Sequence, residues 1–459
     1  MVVQEYEVAV VGGGVVGCAI AREFALAGAR TVLLEKSGDI LAGASKANSA
    51  ILHTGFDAVP GSLEQRLVAE SYAIYRSLHE RLNLPLLPCG AQLVAWSEEQ
   101  EAQLPAIVAQ AHANGVDDVA IVDAATLRDR VPALSPAARA GVTIPGEALV
   151  DPWSAPLAYL TQAVAHGATA LFNAQVTGGA FDGAAWSLQT GRGPVKAALV
   201  INAAGLYGDW LDRNLLGTAE FTIKPRKGQF VVYDKAARKL LDTILLPVPT
   251  ARTKGVVVCP TIFGNVLVGP TAEEQESRSD TGTDEATLRR LMAEGERILP
   301  DLAALPVTAI YAGIRPATEE KDYRILNRPA QHWITVGGIR STGLTAALGI
   351  ARHVLALHGG GFTPPAEITW PEMPNLAEHR PRPYQGEAPG EIVCHCEWVT
   401  RNEIEAALSS PLPPCDPAGL KRRTRAMMGR CQGFFCAARV AELTDGRLAF
   451  PLCPGGGDE

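Results

Sequence analysis

The stretch Glu7-Val8-Ala9-Val10-Val11-Gly12-Gly13-Gly14-Val15-Val16-Gly17-Cys18 decides the fold. Glu7 to Val11 reads as a short apolar strand. Gly12 to Gly17 supplies G-x-G-x-x-G, and Cys18 to Ala27 continues as a helix of small apolar residues. Arg30 to Leu34 is a second strand that ends at Glu35, 18 residues past Gly17. Each glycine has a mechanical reason. Gly12 permits the tight turn, Gly14 lets backbone approach a pyrophosphate, and Gly17 lets helix and strand pack closely. The helix start, at Val15 and Val16, offers free N–H groups and about half a positive charge to phosphates. Glu35 can accept from ribose hydroxyls, which favours FAD or NAD over NADP. The unit predicts an α/β, Rossmann-like dinucleotide-binding domain.

Around this unit the chain is an ordinary globular one. Its 459 residues suggest about three folding units at roughly 150 residues each. The net charge of −8 disfavours a general nucleic-acid binder, which carries a basic surplus. No run of about 18 apolar residues is present, so a spanning helix is not expected. Met1 to Tyr6 lacks the basic start and apolar stretch of a secretion signal. The expected location is the cytoplasm, with any link to the inner membrane running through a partner. Of nine cysteines, six crowd into the last 66 residues, which argues for a metal site over a disulfide framework.

Downstream segments extend the pattern. Gly43 to Gly55 (GASKANSAILHTG) is a polar loop of small residues. Pro60-Gly61-Ser62-Leu63, Val150-Asp151-Pro152, Ile201-Asn202-Ala203-Ala204-Gly205, Pro225 to Phe230 and Val268-Gly269-Pro270-Thr271 follow. Ala312-Gly313-Ile314-Arg315-Pro316 and Gly337 to Thr345 (GGIRSTGLT) complete it. This arrangement resembles the D-amino-acid-oxidase-like superfamily of FAD oxidoreductases. Within it, the chain looks closest to the branch holding the A subunit of anaerobic glycerol-3-phosphate dehydrogenase and bacterial L-2-hydroxyglutarate dehydrogenases. The resemblance implies a discontinuous FAD-binding domain (1–80, 146–215 and 326–358) and an antiparallel-sheet substrate domain (81–145 and 216–325). It also implies FAD contacts beyond the first glycine turn: Lys36, Ala44, Ser45, Asn48, Ser49, Val176, Ala204, Gly205, Gly313, Arg315, Thr342, Gly343, Leu344 and Thr345. Val176 lies beside the adenine by this analogy. By the same analogy, a helix from about Thr345 to Leu357 would meet the pyrimidine end of the flavin with its N-terminus.

Residues 359–390 carry many prolines and read as an extended linker. A third unit, 391–453, then brings Cys394-His395-Cys396 and Cys431-Gln-Gly-Phe-Phe-Cys436. Four thiolates suit zinc or iron–sulfur. C-x-C is tight and C-x4-C loose for a zinc site. The spacing, with Glu397, Val399-Thr400 and Met428-Gly429-Arg430, is similar to the bacterioferritin-associated-ferredoxin-like domain. That resemblance implies a small helical domain with a 2Fe-2S cluster on Cys394, Cys396, Cys431 and Cys436. Cys415 and Cys453 read as loop thiols. The basic run Lys421 to Arg425 reads as a solvated helix face, or as charges that offset the cluster or dock a partner.

Flavin and cluster in one chain imply substrate oxidation followed by stepwise electron export. The expected enzyme is an FAD-dependent dehydrogenase for a small anionic hydroxy compound, either glycerol 3-phosphate or a 2-hydroxy acid. Its electrons pass to a partner protein or a quinone-linked acceptor. His53 is the candidate base for the hydroxyl proton. Arg315 is the candidate anchor, because its planar fork binds carboxylate or phosphate. Arg340, Arg252 and Lys254 are further anchor candidates. Two alternatives stand: an amine or amino-acid dehydrogenase, and an electron-relay subunit without a substrate of its own.

Overall fold

The computed structural model describes residues 4–249 and 255–452. Arg252, Lys254, Cys453 and the final glycine-rich tail lie outside them.

The glycine turn sits between a strand, Gln4–Val11, and a helix, Val15–Ala27. Gly12 has φ 116°, and a Cβ there would lie 2.4 Å from the Ala203 carbonyl oxygen. A Cβ on Gly17 would lie 1.9 Å from the Gly12 carbonyl oxygen, so only glycine lets the helix close on the turn. Gly28, at φ 97°, ends the helix in the left-handed conformation.

The first sheet is built outward from Gln4–Val11. Thr31–Leu34 and then Thr169–Leu171 run parallel on one side. Gly193–Asn202 runs parallel on the other side and carries Trp333–Gly337 at its end. An antiparallel extension, Trp186–Thr190 and Val176–Phe181, finishes that edge. One face buries the helices Val15–Ala27, Leu63–Leu78, Ser154–Ala165 and Gly343–His358 in a continuous apolar core. The parallel strands are apolar throughout because both faces are covered.

The second sheet is mostly antiparallel. Among the described residues it has nine strands, Ala91–Ala95, Ala140–Ile144, Lys224–Tyr233 and Val307–Ala317 among them. The long pairing of Lys224–Tyr233 with Val307–Ala317 sets Gly228 opposite Gly313 and Arg226 opposite Arg315. A three-stranded ribbon of Ile51–Leu52, Ala148–Val150 and Leu86–Leu87 stitches the two sheets together. Its residues enter both cores, Leu52 in one and Leu149 in the other.

The proline-rich segment has no core of its own, but it does not hang free. Phe362 stacks on His358 at 5.1 Å, Trp370 lies under Arg81 at 4.0 Å, and Leu376 and Ala377 are buried in the second core. It is a strap clamped across both sheets. It leads to a short ribbon, Ile392–Cys394 with Val399–Thr400, and the helices Arg401–Leu408, Pro417–Thr424 and Ala437–Thr444. Thr400 and Glu403 form a reciprocal capping box at the first of these.

The basic run is not a solvated face. Arg422, Arg423 and Arg425 are buried. Arg423 grips Asp39, in the loop after the second strand, with Nη1 at 2.5 Å and Nη2 at 2.9 Å. Arg425 pairs with Glu397 at 2.8 Å and lies over the Phe263 ring, which stacks on Trp153. The run therefore docks the C-terminal unit onto both sheets. A buried guanidinium needs a carboxylate or carbonyl partner, and the fold supplies one to each. Among the described residues no helix is long and apolar enough to cross a membrane.

Candidate active site

A cavity of about 450 Å³ opens where the glycine turn, the polar loop, the Ala204–Tyr207 turn and the Gly313–Pro316 strand end converge. At one end the first helix starts after Gly14, which has no side chain to cap it, and Gly14, Val15 and Val16 line the cavity. Ser45 Oγ accepts from the Val15 N–H at 3.0 Å and holds the polar loop against the helix start. Glu35 lines the cavity, and its carboxylate accepts from the Gly13 N–H at 2.6 Å and the Ser37 N–H at 2.8 Å. It therefore shapes the turn as well as facing the cavity; each oxygen keeps a further lone pair. The Lys36 ammonium lies 3.8 Å over the Tyr207 ring, and Arg278 on the same wall clasps Asp209.

The far wall is cationic. Arg315 stands on the Val307–Ala317 strand, and its Nη2 donates to the Thr271 carbonyl at 2.6 Å. Its Nε is buried with no hydrogen-bond partner. Burial, with Arg226 and Arg340 adding to it, pushes the guanidinium down to about 10. Arg226 is already paired with Glu274. Such a cation with a spare donor is stabilised by an anion. Gly228 makes room for it, because a Cβ there would lie 2.8 Å from Arg315 Nη2.

His53 stands one step behind this cavity. Its backbone N–H donates to Thr345 Oγ1 at 3.0 Å, at the start of the helix whose Gly343 and Leu344 line the cavity. Its Nδ1 lies 2.9 Å from Glu147 Oε2, and Glu147 is fully buried.

The C-terminal sulfurs form two pairs, Cys396 with Cys431 and Cys394 with Cys436. The Cys431 sulfur accepts from the Phe435 N–H, and also from those of Gly433 and Phe434, which holds its thiol below the ordinary range. Burial pushes Cys436 up to about 12. Among the described residues no three ligating groups converge on a single ion position. Two pairs of soft donors, one set in a nest of N–H groups, fit a two-metal cluster. Trp398, Arg425, Met427 and Gln432 all have positive φ, so the backbone around the sulfurs is strained.

Residues 7–357 match the family model described as FAD dependent oxidoreductase. The chain belongs to that family. Residues 392–445 match the model of the BFD-like 2Fe-2S binding domain. The chain is 30% identical over 450 residues to a glycerol 3-phosphate dehydrogenase of Caloramator mitchellensis, covering 95% of this chain and 93% of the relative. It is 26% identical to the A subunit of the anaerobic glycerol-3-phosphate dehydrogenase of Escherichia coli K12, over 96% of this chain and 88% of that one. Among solved structures, the dithionite-reduced L-α-glycerophosphate oxidase of Mycoplasma pneumoniae with FAD bound superposes with a TM-score of 0.76. It is 27% identical, and the match covers 81% of this chain and all of that one. This FAD-dependent oxidoreductase therefore takes FAD, and its C-terminal domain takes a 2Fe-2S cluster.

The flavoprotein's fold brings together in one cavity wall Gly12, Gly14, Val15, Val16, Glu35, Lys36, Ala44, Ser45, Asn48, Ser49, Val176, Ala204, Gly205, Gly313, Arg315, Arg340, Gly343 and Leu344. Gly17 instead packs under the turn. Thr342 is turned away, with its hydroxyl donating to Glu64 at 2.6 Å. Thr345 holds His53 and the Ile51 carbonyl. Sequence reading missed Glu147, Arg278, Asp39 and Arg226. Only Glu147 carried a local signal: it is a lone acid ahead of the apolar run Ala148-Leu149-Val150.

Proposed function

We propose that this FAD-dependent dehydrogenase oxidises glycerol 3-phosphate and relays the electrons through its 2Fe-2S domain to an electron-accepting protein or further subunits. The observation that carries the substrate class is the cationic wall: Arg315 is half-buried beside Arg226 and Arg340, with its Nε buried and unpartnered. The relatives that align along nearly the whole chain, named for glycerol 3-phosphate, support the choice among anions. When bound, FAD takes the hydride of the carbinol C–H and the cluster carries electrons singly.

The chain's own residues do the rest. The glycine turn and helix start hold the cofactor's pyrophosphate. Arg315, aided by Arg340, takes the substrate phosphate in a bidentate grip. His53 accepts the hydroxyl proton. Thr345 fixes the His53 backbone from the cavity wall.

The test is an anaerobic titration of the holoenzyme with sn-glycerol 3-phosphate, L-2-hydroxyglutarate, glycine and proline in parallel. Bleaching of the flavin band by glycerol 3-phosphate, followed by the signal of a reduced cluster, is expected. Bleaching by an amino acid alone moves the enzyme to amine oxidation, and bleaching by none makes it a relay.

A further inference from the structure

Glu147 has no role in the mechanism above, yet its carboxylate is enclosed beside His53. Its side chain is fully buried. Oε1 accepts from the Thr54 N–H at 2.7 Å and the Thr54 hydroxyl at 2.9 Å, and Oε2 lies 2.9 Å from His53 Nδ1. The backbone is held as firmly. The Gly90 N–H donates to the Glu147 carbonyl at 2.9 Å, and the Tyr72 hydroxyl donates to the Gly146 carbonyl at 2.7 Å. A Cβ on Gly146 would lie 2.7 Å from Thr54 Cγ2, so the two loops are in close contact.

A carboxylate can only accept, so the atom 2.9 Å from Oε2 must donate. We propose that Glu147 is a positioning residue for the oxidation: it keeps the His53 proton on Nδ1, so that Nε2 presents a lone pair to the substrate hydroxyl. This rests on the reading in which His53 is the base. The hydroxyl proton passes to Nε2 and the C–H hydride, with its electron pair, leaves to FAD. The carbinol becomes a carbonyl, and the imidazolium formed is stabilised by the buried carboxylate. The logic is that of any histidine base whose second nitrogen is oriented by an acid.

Among the described residues, Tyr72 and Cys89 feel the Glu147 charge. Tyr72 comes from the helix Leu63–Leu78, and burial raises it. Cys89, in the turn before Ala91–Ala95, is pushed up by burial to about 12. Both therefore keep their protons in the pH range of the test.

Two measurements on the FAD-loaded, full-length protein decide the matter. The first is 15N NMR of histidine-labelled wild type, with His53 assigned by its loss in His53→Gln. Protonated Nδ1 and bare Nε2 at mildly alkaline pH are expected, and the opposite tautomer overturns the inference whatever any variant does. The second is stopped-flow flavin reduction by Glu147→Gln across pH. The rate is expected to fall by about 10²–10⁴-fold with substrate Kd unchanged. Its acid limb is expected to move to lower pH, because the imidazolium has lost its anionic neighbour. Glu147→Asp keeps the charge and should keep the limb in place. An acid limb in Glu147→Gln that coincides with wild type overturns the inference. If His53→Gln reduces flavin at the wild-type rate, the base assignment itself falls; a rate loss in His53→Gln beside an unmoved acid limb in Glu147→Gln overturns only the role of Glu147.

Discussion

Replacing Asp39 with asparagine should loosen the C-terminal domain without touching a sulfur. Asp39 is 2% exposed, and its partner Arg423 is 4% exposed. Arg422 Nη2 is also 3.7 Å from Asp39. Asparagine removes the charge and turns one acceptor into a donor, leaving two buried guanidiniums without a carboxylate. Breaking a buried pair from one side costs about 3–5 kcal/mol. At about 1.4 kcal/mol per decade, the undocked population rises by roughly two to three and a half decades. Other ties cross the same boundary: Lys235 reaches the buried Glu397 at 3.3 Å, and Arg425 lies over Phe263. Arg430, whose side chain is 69% exposed, pairs with Asp234 across the same boundary, and such a pair contributes about 0–1 kcal/mol. The assay is hydrogen exchange over residues 392–444 with protease cleavage of the exposed Gly386–Ala388 stretch of the strap. Both should accelerate in Asp39→Asn, and flavin-to-cluster transfer should slow. Adding Arg423→Met should recover part of the loss, because removing both partners leaves fewer unmatched charges. Exchange and cleavage at wild-type rates in Asp39→Asn would refute the claim that this bridge holds the domain.

Three further outcomes follow from the geometry. Gly12→Ala places a Cβ 2.4 Å from a backbone oxygen at φ 116°, so the purified protein should hold little flavin per chain. Arg315→Met should weaken substrate affinity by about tenfold to a hundredfold, for the loss of roughly 1.5–3 kcal/mol of charged hydrogen bonding; spectral titration with substrate measures it, and an unchanged Kd removes Arg315 as the anchor. Burial raises Asp209, but the Arg278 bridge and the Ile223 N–H outweigh it and hold the carboxyl below its ordinary range. That contribution is complete above the unfolded value of about 3.9 and is lost as pH falls through the folded one, so acid melting curves of wild type and Arg278→Gln should converge at low pH.

What the sequence determined by itself is what short-range rules encode. Gly12 is fixed by its φ of 116° and Gly17 by close contact with the turn beneath the helix. The runs of apolar residues fix strand and helix periods. The thiol spacings 394/396 and 431/436 mark the 2Fe-2S binding domain. Motifs of this kind carried the fold and the two cofactors. What only the tertiary structure decided is which distant groups share a buried place. Glu147 meets His53 across 94 positions, and Arg423 meets Asp39 across 384. Residues 421–425 read on paper as a solvated helix face or as charges that offset the cluster or dock a partner, and the strap before them as an extended linker. Neither neighbour is specified by local pattern. A buried charge must find a partner wherever the chain brings one, and that place is set by how the two sheets and the strap close on each other.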